Sequence, residues 1–188
     1  RDETVRLRLA AEGIALQSFG TLHRIRGDRD EASRDFDAAG VIHREVGDRR
    51  SRGALLIELG RLSLDLGDPA EARRCADAAL VCLGTDWDPR DIGFARQVVV
   101  ASWRLEGQLD RAMSVWAEAW LDEPTRAALP ARSWLRAEEG RILLAGGDVA
   151  AAGTALAEAA TALEPFDRIA RAEVLVDLAM ALGERQGR

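Results

Sequence analysis

The chain has 188 residues, of which 47% are apolar and only 5% aromatic, so any core is aliphatic. A formal net charge of −6 argues against general binding to nucleic acid or anionic membrane, because phosphate contacts need a basic field. No apolar run approaches the ~20 residues that span a membrane, and the charged start does not resemble a signal peptide. Since the chain begins at Arg1 rather than Met, we expect a piece of a longer cytoplasmic protein.

Apolar residues recur at helical spacing along the whole chain. Turns that contain glycine or proline separate the periodic segments, and no alternation typical of a strand is visible. All five prolines fall in these turns, which agrees with helices between them. The expected helices cover residues 5–26, 29–46, 49–66, 69–83, 90–106, 109–121, 131–145, 149–163 and 167–186.

A glycine turn recurs every 40 residues and divides the helices into pairs. The four glycines are Gly27, Gly67, Gly107 and Gly147. Each is expected to end a helix in the left-handed conformation that glycine adopts without strain. Asp28 is expected to cap the next helix, with Glu31 completing a capping box. Gly187 continues the spacing, so the register is expected to persist to the end of a repeat array.

These units resemble the tetratricopeptide repeat. Each has a first helix with a large residue before a small one, a Gly-Asp type of turn, and a second helix with spaced alanines. The matches are clearest at Phe19-Gly20, Ala32-Phe36-Ala39 and Ala112-Trp116-Ala119. The period of 40 exceeds the ~34 of the standard repeat and resembles the divergent repeats of bacterial signalling and transcriptional regulators. The resemblance implies a single all-α domain over 1–188, a right-handed superhelix of about four and a half helical hairpins.

The resemblance also implies a ligand-binding groove lined by the first helix of each hairpin. Four groove positions are arginines, namely Arg24, Arg61, Arg104 and Arg141. Guanidinium groups bind carboxylates in a bidentate manner, which favours a peptide or an acidic ligand. The alternative is that the arginines are solvated, or paired with Asp65 and neighbouring acids. The remaining candidate groove residues are Gln17, Asp65, Phe94, Gln97 and Trp134.

The tryptophans divide into packing and recognition candidates. Trp103 and Trp116 occupy positions expected in the core, and Trp120 is expected to pack between hairpins. Trp87, in a connector, and Trp134, in the groove, are the two expected to be able to anchor a partner.

The remaining polar residues favour structural roles. His23 and His43 have no companion spaced for a catalytic triad, so we expect structural histidines. The acidic pairs Glu138-Glu139 and Asp122-Glu123 are expected to be solvated. No phosphate-binding loop is present, and no metal or other cofactor is expected. A connector with three acidic residues is expected to cap a helix rather than hold a cation; these are Asp86, Asp88 and Asp91.

The sequence therefore predicts non-catalytic binding of a protein segment or peptide, within a regulatory or signalling protein. Direct contact with nucleic acid or membrane is not expected, and self-association is left open. One alternative is a ligand- or peptide-sensing domain of a transcriptional regulator. Another is an accessory repeat domain of an enzyme, since this type of fold hosts many functions.

Overall fold

The computed structural model describes residues 3–84, 88–122, 125, 128–165 and 167–186. Within these ranges the chain consists of helices joined by short turns, with no strand, which confirms the all-α prediction. The predicted helix ends differ from the observed ones by at most two residues. The helices are α1 (Glu3–Arg26), α2 (Arg29–Val46), α3 (Arg49–Asp65), α4 (Pro69–Leu83), α5 (Pro89–Leu105), α6 (Leu109–Leu121), α7 (Leu129–Ala145), α8 (Val149–Leu163) and α9 (Arg168–Gln186).

Helices end and begin at the glycines and aspartates of the turns. The four glycines of the 40-residue spacing all have positive φ, between 73° and 86°. Asp68 and Asp148 each accept a hydrogen bond from the backbone N–H three residues ahead. The prediction for Asp28 is wrong, because its side chain makes no capping hydrogen bond. Glu31, its expected partner, instead accepts from Arg34 at 2.6 Å on the surface of α2.

The helices form two compact units, which are described separately. The first unit, Arg1–Trp87, contains α1 to α4, and the second, Asp88–Arg188, contains α5 to α9. Within them the hairpins are α1–α2, α3–α4, α5–α6 and α7–α8, and α9 packs on α8. We call α1, α3, α5, α7 and α9 the first helices, and α2, α4, α6 and α8 the second helices.

Small residues allow the two helices of a hairpin to approach closely. A Cβ atom added to Gly20 would lie 2.6 Å from the Phe36 ring, and one on Gly140 would lie 2.6 Å from Leu156. Such distances leave no room for a side chain, so a glycine is required at each position. The second helices contribute alanines seven residues apart, and all of them are buried: Ala32, Ala39, Ala72, Ala79, Ala112, Ala119, Ala152 and Ala159.

Three tryptophans of the second unit, Trp103, Trp116 and Trp120, have the packing role that the sequence predicts for them. Trp116 and Trp120 stack with ring centroids 5.4 Å apart, and Trp116 Nε1 donates to the Leu135 carbonyl oxygen at 2.9 Å. Both rings, with Trp103, pack against the core between α5, α6 and α7. Trp87, Asp86 and Glu123 lie outside the described residues.

Helix α9 departs from the 40-residue register. Asp167 accepts from the backbone N–H groups of Ile169 and Ala170, and α9 begins at Arg168, 39 rather than 40 residues after the first residue of α7, Leu129. Its fully buried Val174 and Ala181 stand 39 residues after their counterparts, the buried Leu135 and Ile142 of α7. The expected persistence of the register is therefore wrong here, because α8 and the connector after it together cover 19 residues, 149–167, whereas each earlier second helix and its connector cover 20. Gly187 itself lies outside the described residues.

Candidate functional site

The first helices of the first unit share a network of arginines and carboxylates. Arg24 of α1 reaches α3, where its guanidinium lies 3.5 Å from Glu58 and 2.9 Å from Asp65. Arg61, one turn after Glu58 on α3, binds the same carboxylate at 2.8 Å. Thr21 of α1 also donates its hydroxyl to Glu58, at 3.4 Å. Glu58 therefore accepts hydrogen bonds from Arg61 and Thr21 and forms an ion pair with Arg24.

The arrangement recurs in the second unit. Arg104 of α5 donates to Glu138 of α7 at 3.0 Å, and Arg141, one turn along α7, donates to the same carboxylate at 2.7 Å. The Gln97 side chain adds a third donor at 3.1 Å. Arg141 also donates to Asp177 of α9 at 2.7 Å.

Four of these ion pairs join one first helix to the next within its unit: Arg24–Glu58, Arg24–Asp65, Arg104–Glu138 and Arg141–Asp177. The positions also correspond, since Arg24, Glu58 and Arg61 recur 80 residues later as Arg104, Glu138 and Arg141. We call three of these pairs, one at each junction of two first helices, the arginine ladder: Arg24–Glu58, Arg104–Glu138 and Arg141–Asp177.

Glu138 is the most buried charge of the ladder, with 1% of its side chain exposed. Burial alone would raise the pKa of Glu138, but Arg141 and Arg104 more than offset it and hold the pKa below its ordinary value. Burial likewise opposes the charge of Arg141, yet Glu138 and Asp177 raise its pKa. Glu138 and Arg141 are consequently ionised near neutral pH. Each arginine of the ladder has a carboxylate held against it.

The structure brings six of the nine candidate groove residues into this network: Arg24, Arg61, Asp65, Gln97, Arg104 and Arg141. The arginines thus have the contacts that the alternative interpretation describes, with Asp65 and neighbouring acids. Gln17 instead hydrogen-bonds His43 within its own hairpin, 3.2 Å away. Phe94 is half-buried, and Trp134 packs against the core between α7, α8 and α9.

Sequence reasoning missed the three carboxylates that organise the ladder, Glu58, Glu138 and Asp177. The expectation that Glu138 is solvated is wrong, because the stacking of α5 on α7 buries it between two arginines. A signal was present in the sequence. An acid three residues before an arginine occurs at both Glu58 and Glu138, and residues three apart lie on one helix face.

The two histidines connect the helices of the first hairpin. His23 Nδ1 of α1 lies 2.9 Å from Asp35 of α2, and His43 of α2 is buried against α1. Burial lowers the pKa of His43, although the negative charge of Asp48 opposes that shift. Asp88 caps α5 by accepting from the Arg90 N–H at 2.9 Å, as the sequence predicts.

Two cavities lie between a second helix and the first helix that follows it. In the first unit a cavity of about 340 Å³ opens between α2 and α3, with Phe36 and Arg52 in its wall. In the second unit a cavity of about 390 Å³ lies beside α6, α7 and α8. The guanidinium carbon of Arg132, in its wall, lies 5.3 Å from the centroid of the Trp120 ring. Neither cavity is lined by Trp134 or by a ladder residue.

The fold and the ladder define an all-helical protein of sequentially packed hairpins joined by interhelical ion pairs. No protein-family model matches the chain, and no curated protein shows significant similarity to it. Among the described residues, no helix has both the length and the apolar character needed to cross a membrane. Nor do three or more His, Cys, Asp or Glu side chains converge on a metal site in that part of the chain.

Proposed function

We propose that this chain is a non-catalytic recognition module that binds a protein segment along the first helices of its hairpins. In this proposal it is a divergent tetratricopeptide-like α-solenoid, a right-handed superhelix of about four and a half hairpins, in a cytoplasmic regulatory or signalling protein. The hairpins, their glycine turns and the buried alanines seven residues apart support the fold.

The arginine ladder is the observation that carries the proposed function. Buried ion pairs are costly to desolvate, and well-packed apolar residues stabilise a core at least as well. Charge at three helix junctions is therefore better explained by a polar partner than by stability alone. The groups also remain accessible, since the side chains of Arg141 and Asp177 are 15% and 26% exposed and that of Asp65 is 40% exposed.

Groups that their neighbours already hold in place lose little conformational freedom when a partner binds. A peptide presents alternating backbone donors and acceptors, which suit a surface where guanidinium and carboxylate groups lie side by side. Because each ladder arginine is matched by a carboxylate, a strongly acidic partner gains little from charge alone. The proposed partner is a polar segment with mixed charge.

A displayed library of random peptides tests this proposal. Peptides of about 12 residues are long enough to span roughly 40 Å when extended. Binders are selected on the wild-type chain, and their affinity is then measured for the variant Asp65→Lys. This variant replaces an exposed carboxylate beside the arginine ladder, and Arg24 keeps its contact with Glu58. We expect a loss of about tenfold, equivalent to roughly 1.4 kcal/mol.

The matched control is Asp77→Lys, the same charge change at an exposed position of the second helix α4. Binding to this variant should equal binding to the wild type. Peptides that lose affinity for Asp77→Lys but not for Asp65→Lys would place recognition on the second helices and refute the proposal, as would a library that yields no binder.

A further inference from the structure

The cavity beside α6, α7 and α8 has more positive than negative charge in its wall, although the chain as a whole is acidic. The charged residues that line it are Arg132, Arg136 and Glu158. Arg136 is already matched, because its guanidinium lies 2.8 Å from Glu158 and also contacts Glu139. Arg132 forms no ion pair with any residue that the structure describes. One positive charge of the wall is therefore left without a carboxylate from the described part of the chain.

The Trp120 ring holds that charge at the cavity. The guanidinium carbon of Arg132 lies 5.3 Å from the ring centroid, and that of Arg136, one turn along α7, lies 6.0 Å from it. The ring is itself fixed by its stacking on Trp116. A guanidinium that lies over an aromatic face keeps its N–H donors, which point outward in its own plane. Arg132 can therefore bind a carboxylate through two parallel hydrogen bonds while it stays over Trp120.

Much of the remaining wall is apolar. Leu129 of α7 and Ala159 and Ala162 of α8 line the cavity. Ser133 also lines it, but its hydroxyl donates to the Leu129 carbonyl oxygen at 2.8 Å, so that donor is already used. The volume of about 390 Å³ lies within the range of small-molecule sites, roughly 300–1,000 Å³. An apolar space with one unmatched guanidinium suits a ligand with one negative charge and an apolar body.

The cavity between α2 and α3 in the first unit has the arginine but not the ring. Arg52 lines that cavity and stands 80 residues before Arg132, at the corresponding position of the repeat. Gly40 stands where the second unit has Trp120, so no indole ring is available at that position to hold Arg52. The combination of arginine and indole ring at these two positions therefore belongs to the cavity of the second unit.

We propose that the cavity beside α6, α7 and α8 binds a small organic carboxylate, with Arg132 binding the carboxylate group and the apolar wall contacting the rest of the molecule. A phosphate monoester carries roughly two negative charges near neutral pH, and the second would be unmatched beside Glu158. The ligand class is therefore a monocarboxylate rather than a phosphate. No ladder residue lines this cavity, so the inference is independent of the proposed peptide recognition.

The probe is phenylacetate, and phenylacetamide is the matched neutral compound of nearly the same shape. Binding is followed by NMR through the indole N–H signals of the five tryptophans, and the Trp120 signal is identified by its loss in Trp120→Phe. Phenylacetate should shift the Trp120 signal with a Kd of about 1 mM, as expected for so small a ligand, and should not shift that of Trp103. Phenylacetamide and inorganic phosphate should each bind at least about tenfold more weakly.

Two variants test the site itself. Arg132→Gln should weaken phenylacetate binding about tenfold, because the charge-assisted hydrogen bonds are lost. Its matched control is Arg111→Gln, which removes an arginine 5.0 Å from the Trp103 ring and outside the cavity, and which should bind as the wild type does. Ala162→Phe should abolish binding by filling the cavity while Arg132 stays in place. Thermal unfolding followed by circular dichroism establishes that the variants are folded.

Three results would each overturn the proposal. The first is a wild-type chain whose Trp120 signal does not respond to phenylacetate. The second is equal affinity for phenylacetate and for either phenylacetamide or phosphate, which would show that the cavity does not select a carboxylate. The third is undiminished binding by Arg132→Gln or by Ala162→Phe, which would place the ligand elsewhere.

Discussion

Replacing Glu138 with glutamine removes the buried carboxylate that two arginines share. The two charge-assisted bonds, 3.0 Å to Arg104 and 2.7 Å to Arg141, lose their ionic character, while Arg141 keeps its contact with Asp177. Removing one partner of a buried pair typically costs about 3–5 kcal/mol. Because both guanidinium groups are partly solvated, we expect the lower end, about 3 kcal/mol, which lowers the melting temperature by roughly 6–12 °C.

The assay is thermal unfolding followed by tryptophan fluorescence, which reports mainly on the second unit because four of the five tryptophans lie there. Glu139→Gln is the matched control. It removes the contact with Arg136, which keeps Glu158, so it should cost no more than about 1 kcal/mol. Equal melting temperatures for the two variants would refute the view that the shared carboxylate of Glu138 stabilises the second unit more than an ordinary surface carboxylate does.

The ionisation of Glu138 also makes the stability of the chain depend on pH. The pKa of Glu138 lies below its ordinary value of 4.5 in the folded chain, so its contribution to stability is complete above that pH. The contribution is lost as the pH falls through the folded-state pKa, because the carboxylate is then protonated. The difference in stability between wild type and Glu138→Gln should therefore shrink as the pH falls below 4.5, and a difference that grows would contradict the assignment.

Gly140→Ala should destabilise the chain by about 1–3 kcal/mol in urea unfolding, because its Cβ would lie 2.6 Å from Leu156. Gly153→Ala, the same change where nothing lies within 4 Å, should stabilise it by about 0.5–1 kcal/mol, and the opposite order would contradict the close hairpin contact. The Cys75 thiol, whose pKa burial raises to about 12, should react with a disulfide reagent at pH near 8 far more slowly than Cys82. Comparison of Cys75→Ser with Cys82→Ser measures the two rates, and faster labelling of Cys75 would show that α4 is less tightly packed than described.

The helices and turns were predictable because local chemistry determines them. A glycine that ends a helix and an aspartate that caps the next act over a few residues, so Gly67 and Asp68 carry their own signal. The ends of α9 were predicted to within one residue, but its register was not. A 40-residue count assumes that each second helix and its connector keep a constant total length, and only the start of α9 and the burial of Val174 show that the last total is one residue shorter.

The arginine ladder was only partly predictable. Its arginines follow from the repeat register, and the partner within one helix follows from spacing, as for Arg61 and Glu58. The ion-pair partner of an arginine on the next helix depends on how the two helices stack, and the sequence does not give that packing geometry directly. The burial of Glu138 is such a case, since an adjacent pair of acids normally indicates a solvated surface.

The most direct test of peptide recognition is hydrogen–deuterium exchange of the chain with and without a selected peptide. Recognition along the first helices predicts that the peptide slows exchange in α1 and α3, or in α5 and α7, while α2, α4, α6 and α8 exchange at unchanged rates. Slowed exchange confined to the second helices would contradict the account and would place the binding surface on the side of the cavities instead.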